Sequence, residues 1–287
     1  MKLKSILEPI SIEHKLVKKE LGQQITGILS KHTGESWSQG YVTKVLEHVF
    51  NIPGKMLRPA LFLLSAKSIA PSENIFQERK EALVQLAAGI ELLHTASLIH
   101  DDIIDESDSR RTQHSLNAEY GSKIAVLVGD ILFAQFFSIV LNLPLKDWEI
   151  KTKLLSIFSN LTQAMCFGEV FQQKLLSLKK DADFSEYLII LEKKTALLME
   201  ASCRSGAILA GGSEQEIKTF AQFGLNFGYA FQLADDIEDE DAVYSKISDI
   251  VNEGRSRINS AKENLNSFSE NVSIKSLYNL CDYLKIE

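Results

Sequence analysis

Leu98-Ile99-His100-Asp101-Asp102-Ile103-Ile104-Asp105 ends a long apolar run with three carboxylates. In a helix, residues four positions apart lie on one face, so Asp101 and Asp105 project together while Asp102 lies about 100° away. Carboxylates this close repel one another unless a cation lies between them. Mg²⁺ prefers oxygen ligands and usually completes its coordination with substrate phosphates. The sequence therefore indicates half of a Mg²⁺ site, and the alternative is a solvated acidic helix end.

A second acidic cluster repeats this pattern near the end of another apolar run. It reads Ala234-Asp235-Asp236-Ile237-Glu238-Asp239, and its first and last aspartates again share a helix face. Facing helices of a bundle build metal sites from inward-pointing side chains. We therefore expect the two clusters to face each other and to bind several Mg²⁺ ions through Asp101, Asp102, Asp105, Asp235, Asp236 and Asp239.

Composition and spacing predict an all-α protein. The chain has 287 residues, 45% of them hydrophobic, and we expect a single domain over residues 1–287. All five prolines lie at or before Pro144, and because proline breaks helix interiors, the rest of the chain can form long helices. Apolar residues recur at helical spacing almost throughout. A helical bundle of about ten helices follows. The net charge of −7 argues against a nucleic-acid partner.

Helix boundaries can be placed from turn and capping signals. Capping-box spacings at Asp183–Glu186 and Ser213–Glu216 mark two helix starts. A polar loop is expected over residues 106–120. The predicted helices are two within 1–50, broken near 32–34, then 59–70, 78–105, 123–141, 148–178, 184–210, 214–240 and a polar helical stretch to 287.

The cysteines and the apolar segments predict a cytoplasmic location. Cys166, Cys203 and Cys281 are odd in number and lack CxxC spacing, so we expect buried free thiols in a reducing compartment. The N-terminus does not read as a signal peptide. The best candidate for a membrane span, residues 124–143, contains Asp130, and a charge at mid-span is costly in lipid. A buried core helix with a paired aspartate is the preferred interpretation.

Basic residues near the first acidic cluster could bind an anionic substrate. Lys55 and Arg58 lie three residues apart at a helix start, where free N–H groups also favour anions. Arg110 and Arg111 follow the cluster and could bind phosphate through two parallel hydrogen bonds. His94 lies two helical turns before the cluster on the same face. A satisfied core histidine is the alternative interpretation for His94.

These motifs together resemble the trans-isoprenyl diphosphate synthases, and the similarity is closest to the medium- and long-chain polyprenyl synthases. The resemblance covers roughly residues 50–240. Its motifs are Gly54-Lys55-x-x-Arg58-Pro59, HTASLIHDDIIDESDSRR (94–111), residues 117–133 with VLVGDILF, Gly168-Glu169-x-x-Gln172, Lys194-Thr195-Ala196 and Phe231-Gln232-x-x-Asp235-Asp236-x-x-Asp239.

The resemblance implies an isoprenoid synthase-like bundle around a deep central cavity, and a homodimer. It implies a condensation of isopentenyl diphosphate with an allylic diphosphate such as geranyl, farnesyl or a longer chain. Three Mg²⁺ ions on the six aspartates would hold the allylic diphosphate, with help from Arg110, Lys194 and Gln232. Isopentenyl diphosphate would bind Lys55, Arg58, His94 and Arg111. The residues assigned to the reacting centre are Lys194, Thr195, Gln232 and Gln172.

Small residues before the first acidic motif imply a long product. In the family, bulk at these positions limits chain length, and here they are Ala96 and Ser97. We therefore expect a product longer than C15, one that can pass to a membrane. Phe133, Phe136 and Phe137 could close the tunnel deeper down, or be core aromatics.

The sequence departs from the family's pattern in two places, and these departures leave other functions possible. Met56 stands where relatives often carry a basic residue, and the glycine- and lysine-bearing lid expected after Asp239 is absent. Because a lid excludes water from reactive intermediates, its loss suggests a catalytically weak partner subunit of a heteromeric synthase as one alternative. A terpene cyclase, or a transferase acting on another prenyl acceptor, is the second alternative.

Overall fold

We describe the protein from a computed structural model, which covers residues 2–32, 37–50, 54–69, 73–110, 113–178, 182–239, 244 and 246–286. Nearly all of these residues are helical, so the predicted all-α class is confirmed. In chain order the helices are α1 (Leu3–Ile6), a 3₁₀ turn (Glu8–Ile10), α2 (Ser11–His32), α3 (Trp37–Phe50), α4 (Leu57–Ile69), α5 (Glu73–Glu78), α6 (Lys80–Ile104), α7 (Leu116–Tyr120), α8 (Ser122–Asn142), α9 (Trp148–Ser177), α10 (Phe184–Leu191), a π-helical turn (Glu192–Ala196), α11 (Leu197–Leu209), α12 (Glu214–Asp239), α13 (Ile247–Leu265) and α14 (Val272–Tyr283).

Two of the differences between the predicted and the observed elements affect the candidate site. The helix predicted over 184–210 is interrupted by the π-helical turn. The loop predicted over 106–120 contains α7 and an antiparallel pair of two-residue strands, β1 (Ser109–Arg110) and β2 (Gln113–His114). Both differences fall next to predicted site residues.

The chain divides into two compact units. Unit 1 comprises Met1–Ser11, Ala60–Lys80 and Asp147–Glu287, and unit 2 comprises Ile12–Pro59 and Glu81–Lys146. The prediction of a single domain, and the prediction that the two acidic clusters face each other, stay predictions. The first cluster belongs to unit 2 and the second to unit 1.

In unit 1, helix α12 packs closely on its neighbours at glycines. A Cβ added at Gly224 would lie 2.6 Å from the Met199 carbonyl oxygen, and one at Gly206 would lie 2.3 Å from the Phe62 carbonyl oxygen. Helix α11 therefore approaches both α12 and α4 at backbone distance. Phe220, Phe223 and Phe227 are fully buried along α12.

In unit 2, helices α6 and α8 pack together in the same way. The Phe136 ring lies against Gly89, and a Cβ at Gly129 would lie 2.2 Å from Nε2 of His100. Nε2 of His100 also lies 3.6 Å from the Asp130 carboxylate, whose side chain is 63% exposed.

The expectation that α8 is a buried core helix is wrong for one of its faces. Leu127, Ile131 and Leu141 are exposed, because the helix packs on unit 2 along the opposite side only. By length and composition, α6 and α8 could each cross a membrane, and the apolar window of α6 is 72% buried. A core helix of a soluble protein passes the same test, so this is weak support for a membrane span.

The three cysteines are free thiols. Cys203 and Cys281 are buried, and burial raises the pKa of each thiol to about 12. Cys166 is exposed on α9, so the expectation of three buried thiols is wrong for this residue.

Candidate active site

The C-terminal end of α6 presents the first acidic cluster. The Asp105 N–H donates to the Asp101 carbonyl at 2.8 Å, so the helical step between these two residues is retained. Beyond it, Ser107 N–H donates to the Asp102 carbonyl and Glu106 N–H to the Ile103 carbonyl. This pair of bonds is a Schellman motif, with Glu106 left-handed at φ +49° where glycine is preferred. The helix end is therefore closed in a strained conformation that fixes the acidic residues.

Asp102 is placed differently from its neighbours in the cluster. It is 4% exposed, and its two carboxylate oxygens accept hydrogen bonds from Nε (2.6 Å) and Nη2 (2.7 Å) of Arg110. Asp101 is half-buried and Asp105 is exposed. The geometry favours Asp102 as the partner of Arg110 over Asp102 as a metal ligand, because a bound cation would have to displace a two-fold ion pair. The 100° offset separates Asp102 from Asp101 and Asp105 around the helix.

Of the basic residues predicted to bind phosphate, some contact α6 and others lie away from it. Nη1 of Arg58 lies 2.9 Å from Nε2 of His94. Because guanidinium only donates, Nε2 of His94 is the acceptor in this contact. Lys55 is exposed just before α4. Arg111 lies outside the described residues.

A cavity of about 340 Å³ opens on this face of α6 within unit 2. His94, Asp102 and Arg110 line one side, and Leu98 and Ile99 supply an apolar wall between them. The cavity also receives residues from α2 and from the segment before α4. A concave site with an apolar wall and a few convergent charged groups is the usual form of a ligand pocket.

Three residues of this cavity region were not predicted from the sequence. Lys18 lines the cavity, and Met56 lines it with a left-handed backbone at φ +49°. The pKa of His14 is lowered overall, mainly by burial. A hydrogen bond with the Met56 backbone raises this pKa, and the nearby Lys18 charge lowers it. A helical surface lysine gives no sequence signal of this kind, since its position depends on how α2 packs.

The second acidic cluster lies at the end of α12 in unit 1, within a chain of hydrogen bonds. Thr195 Oγ1 donates to Gln232 Oε1 (2.8 Å), and Gln232 Nε2 donates to Asp236 Oδ1 (2.8 Å). Asp235 is half-buried beside them. Asp239 ends the helix, and its side chain lies outside the described part of the chain. The structure thus brings together Thr195, Gln232 and Asp236, three of the predicted site residues.

Lys194 projects from the π-helical turn toward α9. Its Nζ lies 2.5 Å from Glu169 Oε2 and donates to Gln172 Oε1 at 3.0 Å. Single π turns inside helices occur often at functional sites, because the extra residue redirects the side chains around it. Here the turn directs Lys194 to α9 and Thr195 to α12.

The π-helical turn is held between two glycines. A Cβ at Gly168 would lie 2.7 Å from Cβ of Lys193, and a Cβ at Gly228 would lie 2.6 Å from Cα of Ala196. The second contact is with backbone and cannot be relieved by a side-chain rotation. The sequence spacing of these glycines gave no sign of this contact.

Gly228→Ala is expected to lower the free energy of unfolding by about 1–3 kcal/mol, because overpacking forces backbone shifts. Gly27→Ala on α2 is the matched control: its Cβ meets nothing within 4 Å, so it should stabilise the helix by about 0.5–1 kcal/mol. Urea unfolding of both variants measures the difference. Equal stability of the two variants would contradict the close approach at Ala196.

The donor chemistry of both helix ends fits a hard divalent cation. Carboxylates at a helix C-terminus are disfavoured by the helix dipole, and neither α6 nor α12 has a basic residue in its last turn. Oxygen donors are the ligands that Mg²⁺ prefers. Within the ranges that the structure covers, no group of three acidic, histidine or cysteine side chains is close enough to hold a metal by itself. Each cluster would therefore supply only part of a coordination shell.

The described residues thus form an all-α fold with carboxylates at the ends of α6 and α12, and a cavity in unit 2 that is lined by charged and apolar groups. The family model for polyprenyl synthetase matches residues 39–254. The chain therefore belongs to the polyprenyl synthetase family.

Two relatives and a solved structure illustrate the similarity. An octaprenyl diphosphate synthase from Haemophilus influenzae is 38% identical over 191 residues, covering 66% of this chain and 53% of the relative. A short chain isoprenyl diphosphate synthase from Methanothermobacter thermautotrophicus is 33% identical, covering 73% of this chain and 62% of the relative. The chain thus spans between half and two thirds of these relatives. A Caulobacter crescentus polyprenyl synthase complexed with calcium and isoprenyl diphosphate shares the fold, with TM-score 0.79 at 23% identity, covering 99% of this chain and 97% of that one.

Proposed function

We propose that the protein is a Mg²⁺-dependent trans-prenyltransferase that condenses isopentenyl diphosphate with an allylic diphosphate. The observation that carries the proposal is the α6 cavity, where His94, Asp102 and Arg110 line one wall beside an apolar surface. A prenyl diphosphate has the same two parts, an anionic head and an apolar chain. The named activities of the family relatives, octaprenyl and short chain isoprenyl diphosphate synthases, support the same substrate class.

The N–H donors of unit 2 would bind the diphosphate of isopentenyl diphosphate. Arg58 and His94 already contact each other, so an arriving diphosphate would meet a pre-oriented pair. Arg110 uses two of its five N–H donors on Asp102, and the remaining donors can still reach a phosphate. We therefore assign Asp102 to holding Arg110 in place, and Lys55 and Arg111 remain proposed anchors.

The acidic helix ends would serve the allylic substrate. Mg²⁺ bound at Asp101 and Asp105, and Mg²⁺ bound at Asp235 and Asp236, would neutralise the charge that develops on the departing diphosphate. Lys194, oriented by Glu169 and Gln172, would donate hydrogen bonds to the same leaving group.

The carbonyl and hydroxyl oxygens at the reacting centre have a separate role. Gln232 and Thr195 would place their dipoles against the allylic cation formed when the C–O bond breaks. The alkene of isopentenyl diphosphate then attacks this cation, and a proton is lost to the released diphosphate. No side chain is required as the base.

The length of the product would depend on α6. Ala96 is fully buried, and Gly89 lies two turns nearer the helix start with the Phe136 ring against it. We propose that a chain growing past Ala96 is limited by Phe136, which favours a product longer than C15.

A cytoplasmic homodimer is part of the proposal. The exposed apolar residues of α8, Leu127, Ile131 and Leu141, recur at helical spacing and form one face. A second copy of the chain is the occupant that we propose for this face, and such a dimer could deliver its product to a membrane surface.

Product sizing tests the proposed function. The purified protein is incubated with Mg²⁺, labelled isopentenyl diphosphate and geranyl, farnesyl or geranylgeranyl diphosphate, and the dephosphorylated products are separated by length. Elongation beyond C15 is expected. Conversion of farnesyl diphosphate without isopentenyl diphosphate would indicate a cyclase, and elongation that needs an added partner protein would indicate the partner-subunit alternative.

Lys18→Gln is expected to raise the KM for isopentenyl diphosphate about tenfold, because a charge-assisted hydrogen bond to phosphate contributes about 1.5–3 kcal/mol. Lys18 lines the cavity from α2, in the region where Met56 replaces a basic residue. Lys19→Gln, next along the same helix and also exposed, is the matched control and should leave this KM unchanged. Equal KM values for the two variants would remove Lys18 from the binding site.

A further inference from the structure

Tyr187 on α10 contacts the second acidic cluster, although it belongs to none of the motifs. It is 4% exposed, and its hydroxyl donates a hydrogen bond to Oδ2 of Asp236. Its ring stacks on Tyr244, with 5.9 Å between ring centroids and 19° between ring planes. Phe184 packs beside both rings. The ring that carries the hydroxyl is therefore held in an aromatic cluster.

Asp236 receives a hydrogen bond on each of its oxygens. Oδ1 accepts from Gln232 and Oδ2 accepts from Tyr187. With two donors from two different helices, the carboxylate plane can rotate little.

The aromatic cluster also connects this carboxylate to the start of α13. The Tyr244 hydroxyl donates to Asp249 Oδ2 at 2.7 Å, and Lys246 Nζ lies 2.9 Å from Asp249 Oδ1. Tyr244 and Lys246 follow the acidic cluster in the sequence. The stack of Tyr187 on Tyr244 thus joins α10, α12 and α13 at the acidic end of α12.

We propose that Tyr187 is a positioning residue that fixes the orientation of Asp236 for the metal-bound diphosphate. The inference rests on the proposed function for the identity of the ligand. A core tyrosine with no such role is the competing interpretation. If Tyr187 is a positioning residue, loss of its hydroxyl should lower the affinity for metal. If it is only a core residue, the same loss should lower only the stability of the protein.

Tyr187→Phe keeps the ring stack and removes the hydrogen bond. We expect Mn²⁺ to bind about tenfold more weakly in the presence of inorganic pyrophosphate, because partners that orient a ligating carboxylate contribute 10–100-fold to metal affinity. Electron paramagnetic resonance of free Mn²⁺ measures this binding without turnover. The Mg²⁺ concentration for half-maximal condensation should rise by the same factor, while the KM for isopentenyl diphosphate stays constant.

Tyr229→Phe is the matched control. Tyr229 is equally buried, and its hydroxyl donates to Glu192 at 2.5 Å and not to the acidic cluster. Both variants should lose similar thermal stability, and only Tyr187→Phe should lose metal affinity. In an Asp236→Asn background, Tyr187→Phe should have no further effect on Mn²⁺ binding.

Equal Mn²⁺ affinity in wild type, Tyr187→Phe and Tyr229→Phe would overturn the positioning role and leave the proposed function intact. Failure of the wild-type protein to bind Mn²⁺ with pyrophosphate would overturn both. A weaker affinity in both tyrosine variants would also overturn the positioning role, since it would reflect a general loss of structure.

Discussion

Asp101→Asn is expected to lower kcat for chain elongation about 10³-fold. The substitution keeps the shape of the side chain and removes one anionic oxygen donor from the end of α6. Groups that stabilise charge developing on a leaving group contribute about 10²–10³ each when they are removed singly. The step that should slow is ionisation of the allylic diphosphate. Single-turnover measurements with labelled allylic substrate separate this step from product release.

Asp108→Asn is the matched control for Asp101→Asn. Both substitutions remove one negative charge from the same part of unit 2, and Asp108 is exposed in the loop beyond the acidic cluster. The control should elongate at the wild-type rate. A comparable loss in both variants would show that net charge, and not a ligand at Asp101, governs the reaction.

The long helices could be predicted from local sequence patterns, and the structure contains these helices. The run before the first acidic cluster, predicted as 78–105, is α6 at Lys80–Ile104, and the capping box at Asp183 and Glu186 is present with both of its hydrogen bonds. Apolar spacing and caps depend on neighbours within one or two turns. The sequence therefore contains enough information to place them.

The π-helical turn could not be predicted from such patterns. Residues 192–196 read as ordinary helix, and the extra residue in the turn is held by contacts with Gly168 and Gly228, far away in the sequence. The partners of Asp236 illustrate the same limit. Gln232 is four residues away and was predicted in the site, whereas Tyr187 is forty-nine residues away and was missed.

Asp102 illustrates a third limit of prediction from the sequence. The motif suggested three equivalent ligands, and helical geometry already placed Asp102 100° from the other two. Only the path of the loop through β1 brings Arg110 back onto it. The chain leaves α6 through the Schellman closure at Glu106, for which the sequence offers no glycine signal.

Arg110→Leu is expected to lower the free energy of unfolding by about 2–4 kcal/mol. It would leave the Asp102 carboxylate, whose side chain is 6% exposed, as a buried charge without its partner. Breaking a buried pair costs about 3–5 kcal/mol, and the estimate is reduced because the Arg110 side chain is 36% exposed. Urea unfolding measures the loss.

Two further variants test whether the unpaired carboxylate causes this loss. Lys153→Leu breaks the exposed pair between Lys153 and Glu214, at 2.9 Å, and should cost less than about 1 kcal/mol. The double variant Asp102→Leu, Arg110→Leu should recover most of the stability lost in Arg110→Leu, because removing both partners leaves no buried charge. If the double variant is no more stable than Arg110→Leu, packing of the Arg110 side chain, and not pairing with Asp102, stabilises the end of α6. In that case Asp102 would be available as a metal ligand, and the division of roles proposed for the acidic cluster would have to be reversed.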